Sequence, residues 1–176
     1  MPAGADAILS AMEQPDPART DPAGPAPADP GPPDVLPVDA VVEALEGYQR
    51  LTVELLERHD DPEACVKALV ALHLRWTEED PDRARMVARH RHAVMAGPGR
   101  ERLTASNARY FELTRSWLRR EAEAGRLPAV SFNVFHALVF APTQELAKHW
   151  LGGRLRRAPG EYADRMGRAA WAGLVA

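Results

Sequence analysis

Six histidines, one cysteine and a few scattered serines are the side chains here that could hold a metal ion or attack a carbonyl carbon. His90 and His92 lie closest together, but residues two apart on a helix point about 200° apart and cannot share one ion. His136 and His149 are too far apart along one helix, and no His-Glu-x-x-His pattern occurs, so no metal site is expected. Ser106, Ser116 and Ser131 all lie outside any Gly-x-Ser-x-Gly turn. Cys65 sits near a helix start, a position that lowers a thiol's pKa, yet no histidine is near it in sequence, and it reads as a small core residue. No catalytic residue and no cofactor are expected, and the chain is not read as an enzyme.

Recognition is better represented than reaction. His73, His90, Asn107 and Thr114 are polar residues on otherwise apolar helix faces, framed by Trp76, Met86, Tyr110, Phe111 and Phe135. A mainly apolar pocket with a few placed polar groups is the usual form of a small-molecule site. The plainer reading of each residue is a satisfied core polar group, with Thr114 bonding its own helix backbone. As a set they favour a cavity for an apolar or amphipathic effector.

Helices must position these residues, because the apolar positions recur at three- and four-residue steps and no alternating strand pattern occurs. A first helix over about 38–59 carries Val38, Val41, Val42, Leu45, Tyr48, Thr52, Leu55 and Leu56. Asp61-Pro62 and Asp80-Pro81 read as N-cap followed by first helical residue, and they start helices over about 62–78 and 81–95. Gly97-Pro98-Gly99 opens a long helix over about 100–124, expected to be the spine, with Gly125 as its stop. A fifth helix, about 131–151, is apolar around most of its circumference, and Pro142 should bend its axis by removing the bond to the Leu138 carbonyl. The sixth, about 159–175, has a broad apolar surface, with Gly167 leaving room for close backbone approach. The fold class is therefore all-α, with about six helices.

Residues 1–37 differ in kind. They hold ten of the sixteen prolines and six acids against one base, Arg19. Such a segment cannot bury enough surface to offset its ordering entropy and reads as a disordered tail, with at most a short helix at Ala5–Met12. The domain is residues 38–176, where 21 Lys and Arg stand against 19 Asp and Glu. That excess is far from the concentrated positive face needed for phosphate contacts to DNA. A single cysteine excludes an internal disulfide and suits a reducing compartment, no run approaches the ~20 apolar residues of a membrane span, and no signal peptide is legible. A cytoplasmic location without membrane association is expected.

Three segments carry a family resemblance: Glu78-Glu79-Asp80-Pro81-Asp82-Arg83-Ala84-Arg85, then Gly125-Arg126-Leu127, then the stretch from Ala141-Pro142-Thr143-Gln144 through Trp150 to Arg154. In order and spacing they resemble the C-terminal effector domain of TetR-type transcriptional regulators, over roughly residues 38–176. The resemblance implies a homodimer in which the last two helices of each protomer pair as a four-helix bundle. Its seam would carry Phe132, Leu138, Val139, Leu146, Trp150, Tyr162, Met166, Ala170 and Leu174. It also implies a ligand cavity among the earlier helices and a ligand-driven shift that controls transcription. Such regulators begin with a helix-turn-helix head, and the acidic tail holds that place here, while 38–59 looks like the connector to it. DNA is thus an expected partner only if an upstream helix-turn-helix exists in the complete protein. The alternative is a headless partner that forms heterodimers with a full-length regulator.

Overall fold

The computed structural model describes residues 36–176, and the expected tail, with its short helix at Ala5–Met12, falls outside them save for its last two residues. All regular structure among the described residues is helical. The elements are α1 (Val38–Arg58), α2 (Pro62–Glu79), α3 (Pro81–Ala96), α4 (Arg100–Glu123), α5 (Phe132–Val139), α6 (Ala141–Leu151), a 3-10 turn (Pro159–Tyr162) and α7 (Ala163–Val175). The six expected helices are present, with the fifth broken in two and the first turn of the sixth wound as 3-10.

The aspartates start their helices as their position before proline dictates. Asp61 accepts hydrogen bonds from the Glu63 and Ala64 amides at 3.3 and 3.1 Å, satisfying two of the donors that a helix start leaves unpaired. Asp80 both ends α2 and caps α3, accepting from the Arg83 amide at 2.9 Å. Proline at 81 keeps Asp80 out of the helical region, so the chain turns sharply between α2 and α3 within one residue. At the far end of α4, Gly125 takes a φ of +69°, and the Arg126 and Gly125 amides donate to the Glu121 and Ala122 carbonyls at 3.0 Å each. That is the Schellman stop. The Glu121 side chain, buried at this stop, is bracketed by Arg120 at 3.1 Å and Arg126 at 2.7 Å.

The spine of the fold is α2, not the long α4. Helix α2 packs against α1, α3, α5, α6, α7 and the 3-10 turn, whereas α4 meets chiefly α1, α3 and α5. Cys65, Val66, Leu69, Val70 and Leu74 of α2 are completely buried and form the main core with Trp117, Phe135, Val139, Ala170 and Leu174 among others. Each such aliphatic side chain contributes about 1.5–3 kcal/mol on burial. A second, smaller core joins Val41, Val42, Val94 and Leu103 where α1, α3 and α4 meet. Glu78 adds a tie: its carboxylate accepts from the Gly160 amide at 3.0 Å and pins the 3-10 turn to the end of α2.

The fifth helix divides at Phe140, two residues before Pro142, into α5 and α6. Phe140 keeps right-handed helical torsions (φ −100°, ψ −38°) and its amide donates to the His136 carbonyl at 2.9 Å, while Pro142 sits in the first turn of α6, where its missing donor costs nothing. The Phe140 carbonyl accepts from the Thr143 hydroxyl at 2.7 Å and the Gln144 amide at 2.9 Å. The break is thereby closed without an orphaned acceptor at that residue.

Helix α7 lies close on α2 because position 167 has no side chain. A Cβ there would meet the Cγ, Cα and Cβ of Lys67 at 3.1–3.3 Å. Gly167→Val should force the two helices apart and cost about 1–3 kcal/mol, read as a lower denaturant midpoint. Gly173→Ala meets only the Leu138 side chain, at 3.4 Å, and should be neutral or stabilising by up to about 1 kcal/mol through helix propensity. Equal effects from the two variants would show that the α2–α7 approach is not limiting.

Candidate functional site

The one-residue turn at Asp80 sends α3 away from α2, and the restart at Phe140 sets the direction of α6. Between α3 and α6 lies a cleft of about 820 Å³, larger than the grooves of about 540 and 340 Å³ found elsewhere among the described residues. Leu45 and Tyr48 of α1 and His73, Trp76 and Thr77 of α2 make its floor. One wall is α3, with Ala84, Arg85, Val87, Ala88 and Arg91, and the other is α6, with Ala141, Gln144, Ala147, Lys148 and Leu151.

Three rings organise the floor. Tyr48 stands edge-on to His73 at 5.5 Å and to Trp76 at 5.4 Å between ring centres, the arrangement in which a positive ring edge meets a negative face. The Tyr48 hydroxyl and His73 Nδ1 are 3.0 Å apart. When the hydroxyl donates, the neutral imidazole carries its own proton on Nε2. Arg83 holds Trp76 from α3: its guanidinium lies over the indole at 4.4 Å and donates to the Trp76 carbonyl at 3.0 Å. That bond occupies a carbonyl in the last turn of α2, where acceptors otherwise lack partners.

Burial sets the charge state of the floor. It lowers the His73 pKa from 6.5 to about 4, with the neighbouring His136 contributing less, and it raises the Tyr48 hydroxyl well above its ordinary value. His136 is lowered too, first by burial and then by the charge of Arg91. Near neutral pH the floor is therefore uncharged, aromatic and supplied with one polar pair. Such a surface can bind an apolar body.

Of the nine residues expected to contact a ligand, His73 and Trp76 line the cleft. Met86 packs on the smaller core, and His90 is half-buried on α3 outside the cleft lining. Asn107 accepts from Gln49 at 2.7 Å, tying α4 to α1. The buried Thr114 donates to the Tyr110 carbonyl at 2.9 Å, the backbone bond that sequence reading weighed as the plainer alternative. Tyr110 and Phe111 join Phe132 in an aromatic cluster beside the main core, with Phe111 and Phe132 at 4.8 Å and Arg115 over the Phe132 ring at 5.3 Å. Phe135 is fully buried between Trp117 and Phe140. Tyr48 was the principal omission: its position in the α1 stripe marked it only as core, and no local signal shows that α2 brings His73 and Trp76 to it.

The residues expected along a dimer seam divide by face. Val139, Ala170 and Leu174 are buried in the protomer's own core, and Leu138, Leu146 and Met166 are half-buried against it. Phe132, Trp150 and Tyr162 are half-buried. The exposed positions of α5 and α7 include Val134, Ala137, Ala169, Ala172 and Val175, together with the polar Asn133, Asp164, Arg165 and Arg168. Cys65 is a fully buried core residue, as its sequence context suggested, and burial first, and then the charge of Glu121, push its thiol up to about 12. No group of three or more potential metal ligands comes together among the described residues, and no helix there is long and apolar enough to cross a membrane.

The depressed His73 pKa gives acid sensitivity a definite sign. The unfolded chain takes up the imidazole proton near pH 6.5 and the folded one near 4, so in that window the unfolded state binds more protons. Stability from this group is full above pH 6.5 and lost as pH falls toward 4, by at most about 3 kcal/mol. Denaturant midpoints measured across the window should fall on acidification, and less steeply for His73→Gln. Identical slopes in the two proteins would assign the acid sensitivity to other groups.

Compared with protein-family models and with curated proteins, the chain matches none of either.

Proposed function

We propose that residues 38–176 are a small-molecule sensing and dimerisation body of the TetR-regulator type, binding an apolar or amphipathic effector and transmitting its presence through α5–α7. The observation that carries this reading is the cleft between α3 and α6, floored by Tyr48, His73 and Trp76. Its size, its apolar floor and the polar and charged groups of its walls suit a small organic molecule. The absence of a catalytic constellation in the sequence supports binding rather than turnover.

The wall of the cleft also supplies a route for coupling. Helix α6 continues directly from α5 through the Phe140 break, and α5 packs against α7. A ligand that prefers one position of α6 over another would bias the outward face of α5 and α7, which is what linkage between two sites requires. Among the described residues the large apolar side chains left well exposed are Leu51, Val134 and Val175, and two of these three lie on α5 and α7. That placement supports a homodimer across those helices. In the complete protein the response would act on transcription through a DNA-reading head or a head-bearing partner.

Two measurements test the reading. A neutral naphthalene dye should brighten on binding the protein, and Tyr48→Ala with Trp76→Ala should weaken its affinity about tenfold or more, as expected for losing about 1.4 kcal/mol of contact. A dye unaffected by those changes would place the binding site elsewhere. Light scattering should give a dimer mass for the wild type and a monomer mass for Val134→Asp with Val175→Asp at unchanged helix content, and a monomeric wild type would remove the seam from the proposal.

A further inference from the structure

The charges around the cleft are one-sided. Among the described residues, Arg85, Arg91 and Lys148 lie on its lining and Glu145 is the one carboxylate there. Glu145 is already engaged, at 3.3 Å from both Lys148 and His149. Arg85 pairs with Asp82 at 2.8 Å, but Asp82 is outside the lining. Among the described residues no carboxylate is within ion-pair distance of Arg91. Helix α3 itself carries four arginines and one acid, Asp82. A cleft walled by one sign of charge, with a low-dielectric floor, concentrates its field on whatever enters.

The floor adds nothing to oppose an anion. Tyr48, Trp76 and the uncharged His73 present rings and no carboxylate, so a cationic ligand would find no counter-charge there and would meet arginines at the entrance. The field of Arg91 reaches inward, since it contributes to keeping His136 neutral. Arginine suits the planar head of a carboxylate or phosphate, which it can hold by two parallel hydrogen bonds.

We propose that the ligand of this cleft is an amphipathic organic anion, its apolar body lying on Tyr48, His73 and Trp76 and its acidic head held at the rim by Arg85, Arg91 and Lys148. This rests on the cleft being the binding site and adds the charge of its occupant.

The test is calorimetric titration of the full chain with three probes of equal chain length: decanoate, decanol and decyltrimethylammonium. Decanoate should bind about tenfold or more tightly than decanol, and the ammonium more weakly than either. Decanoate affinity should fall as salt is raised while that of decanol holds, because exposed charges are screened. Arg91→Gln with Lys148→Gln, both at exposed positions, should bring decanoate down to the level of decanol. Decyl phosphate titrated alongside identifies which anionic head the rim prefers, and tighter binding of either than of decanol supports the assignment. Equal affinities for decanoate and decanol, or a preference for the ammonium, would overturn the anion and leave the cleft standing as a binding site. Failure of the dye and of all the probes to bind would remove the cleft reading and the anion with it.

Discussion

Helix α2 has almost no face to spare for water. Cys65, Val66, Leu69, Val70 and Leu74 are fully buried and only Arg75, Glu78 and Glu79 of this helix are exposed, which requires neighbours on several sides. Helices α1, α5, α6 and α7 supply them, and the close approach at Gly167 shows how little space that wrapping leaves. The rest of the architecture follows from covering this one helix. Toward its C-terminal end, where Asp80 and Pro81 turn the chain out of helical geometry, the cover parts between α3 and α6. The gap left between α3 and α6 exposes the last apolar ring residues of α2.

The chemistry of that gap is a matter of dielectric as much as of shape. Rings packed edge to face around a neutral histidine make a surface that water solvates poorly, while the arginines of α3 stand at its margin in better-solvated positions. Arg83 belongs to both environments: its stem and guanidinium cover Trp76, and its hydrogen bond completes the end of α2. The result separates an uncharged floor from a cationic entrance within a single cleft. A molecule with one apolar part and one charged part matches that division, whereas a purely polar one would lose hydration without compensation.

The break at Phe140 gives the same cleft a mechanical relation to the outer helices. The buried ring of Phe140 joins α5 to α6, with α6 facing the cleft and α5 facing α7. Closing the carbonyl at the break with the Thr143 hydroxyl makes the discontinuity a stable part of the fold, and both axes remain anchored in one core through Val139, Phe140 and their neighbours.

Much of this was legible in the sequence, because it is written in local terms. Asp61-Pro62, Asp80-Pro81 and Gly125 mark helix ends through the backbone geometry that proline and glycine impose, and three- and four-residue spacing marks which face of each helix is apolar. The pairing of His73 with Trp76 on one face followed from the same spacing, as did the backbone bond of Thr114 and the room left by Gly167. What the spacing could not supply was the identity of the opposing surface. A helical period reports that Tyr48, Phe135, Val139 and Leu174 face inward, and it is silent on whether they meet a ligand, a second copy or the protein's own core. Tertiary packing alone decided that Tyr48 meets His73 while Phe135 and Leu174 fill the core, and that α2 rather than the longer α4 is central. Those outcomes depend on contacts between residues far apart in the chain, whose energies are set by the volume and approach of partners that no local pattern encodes.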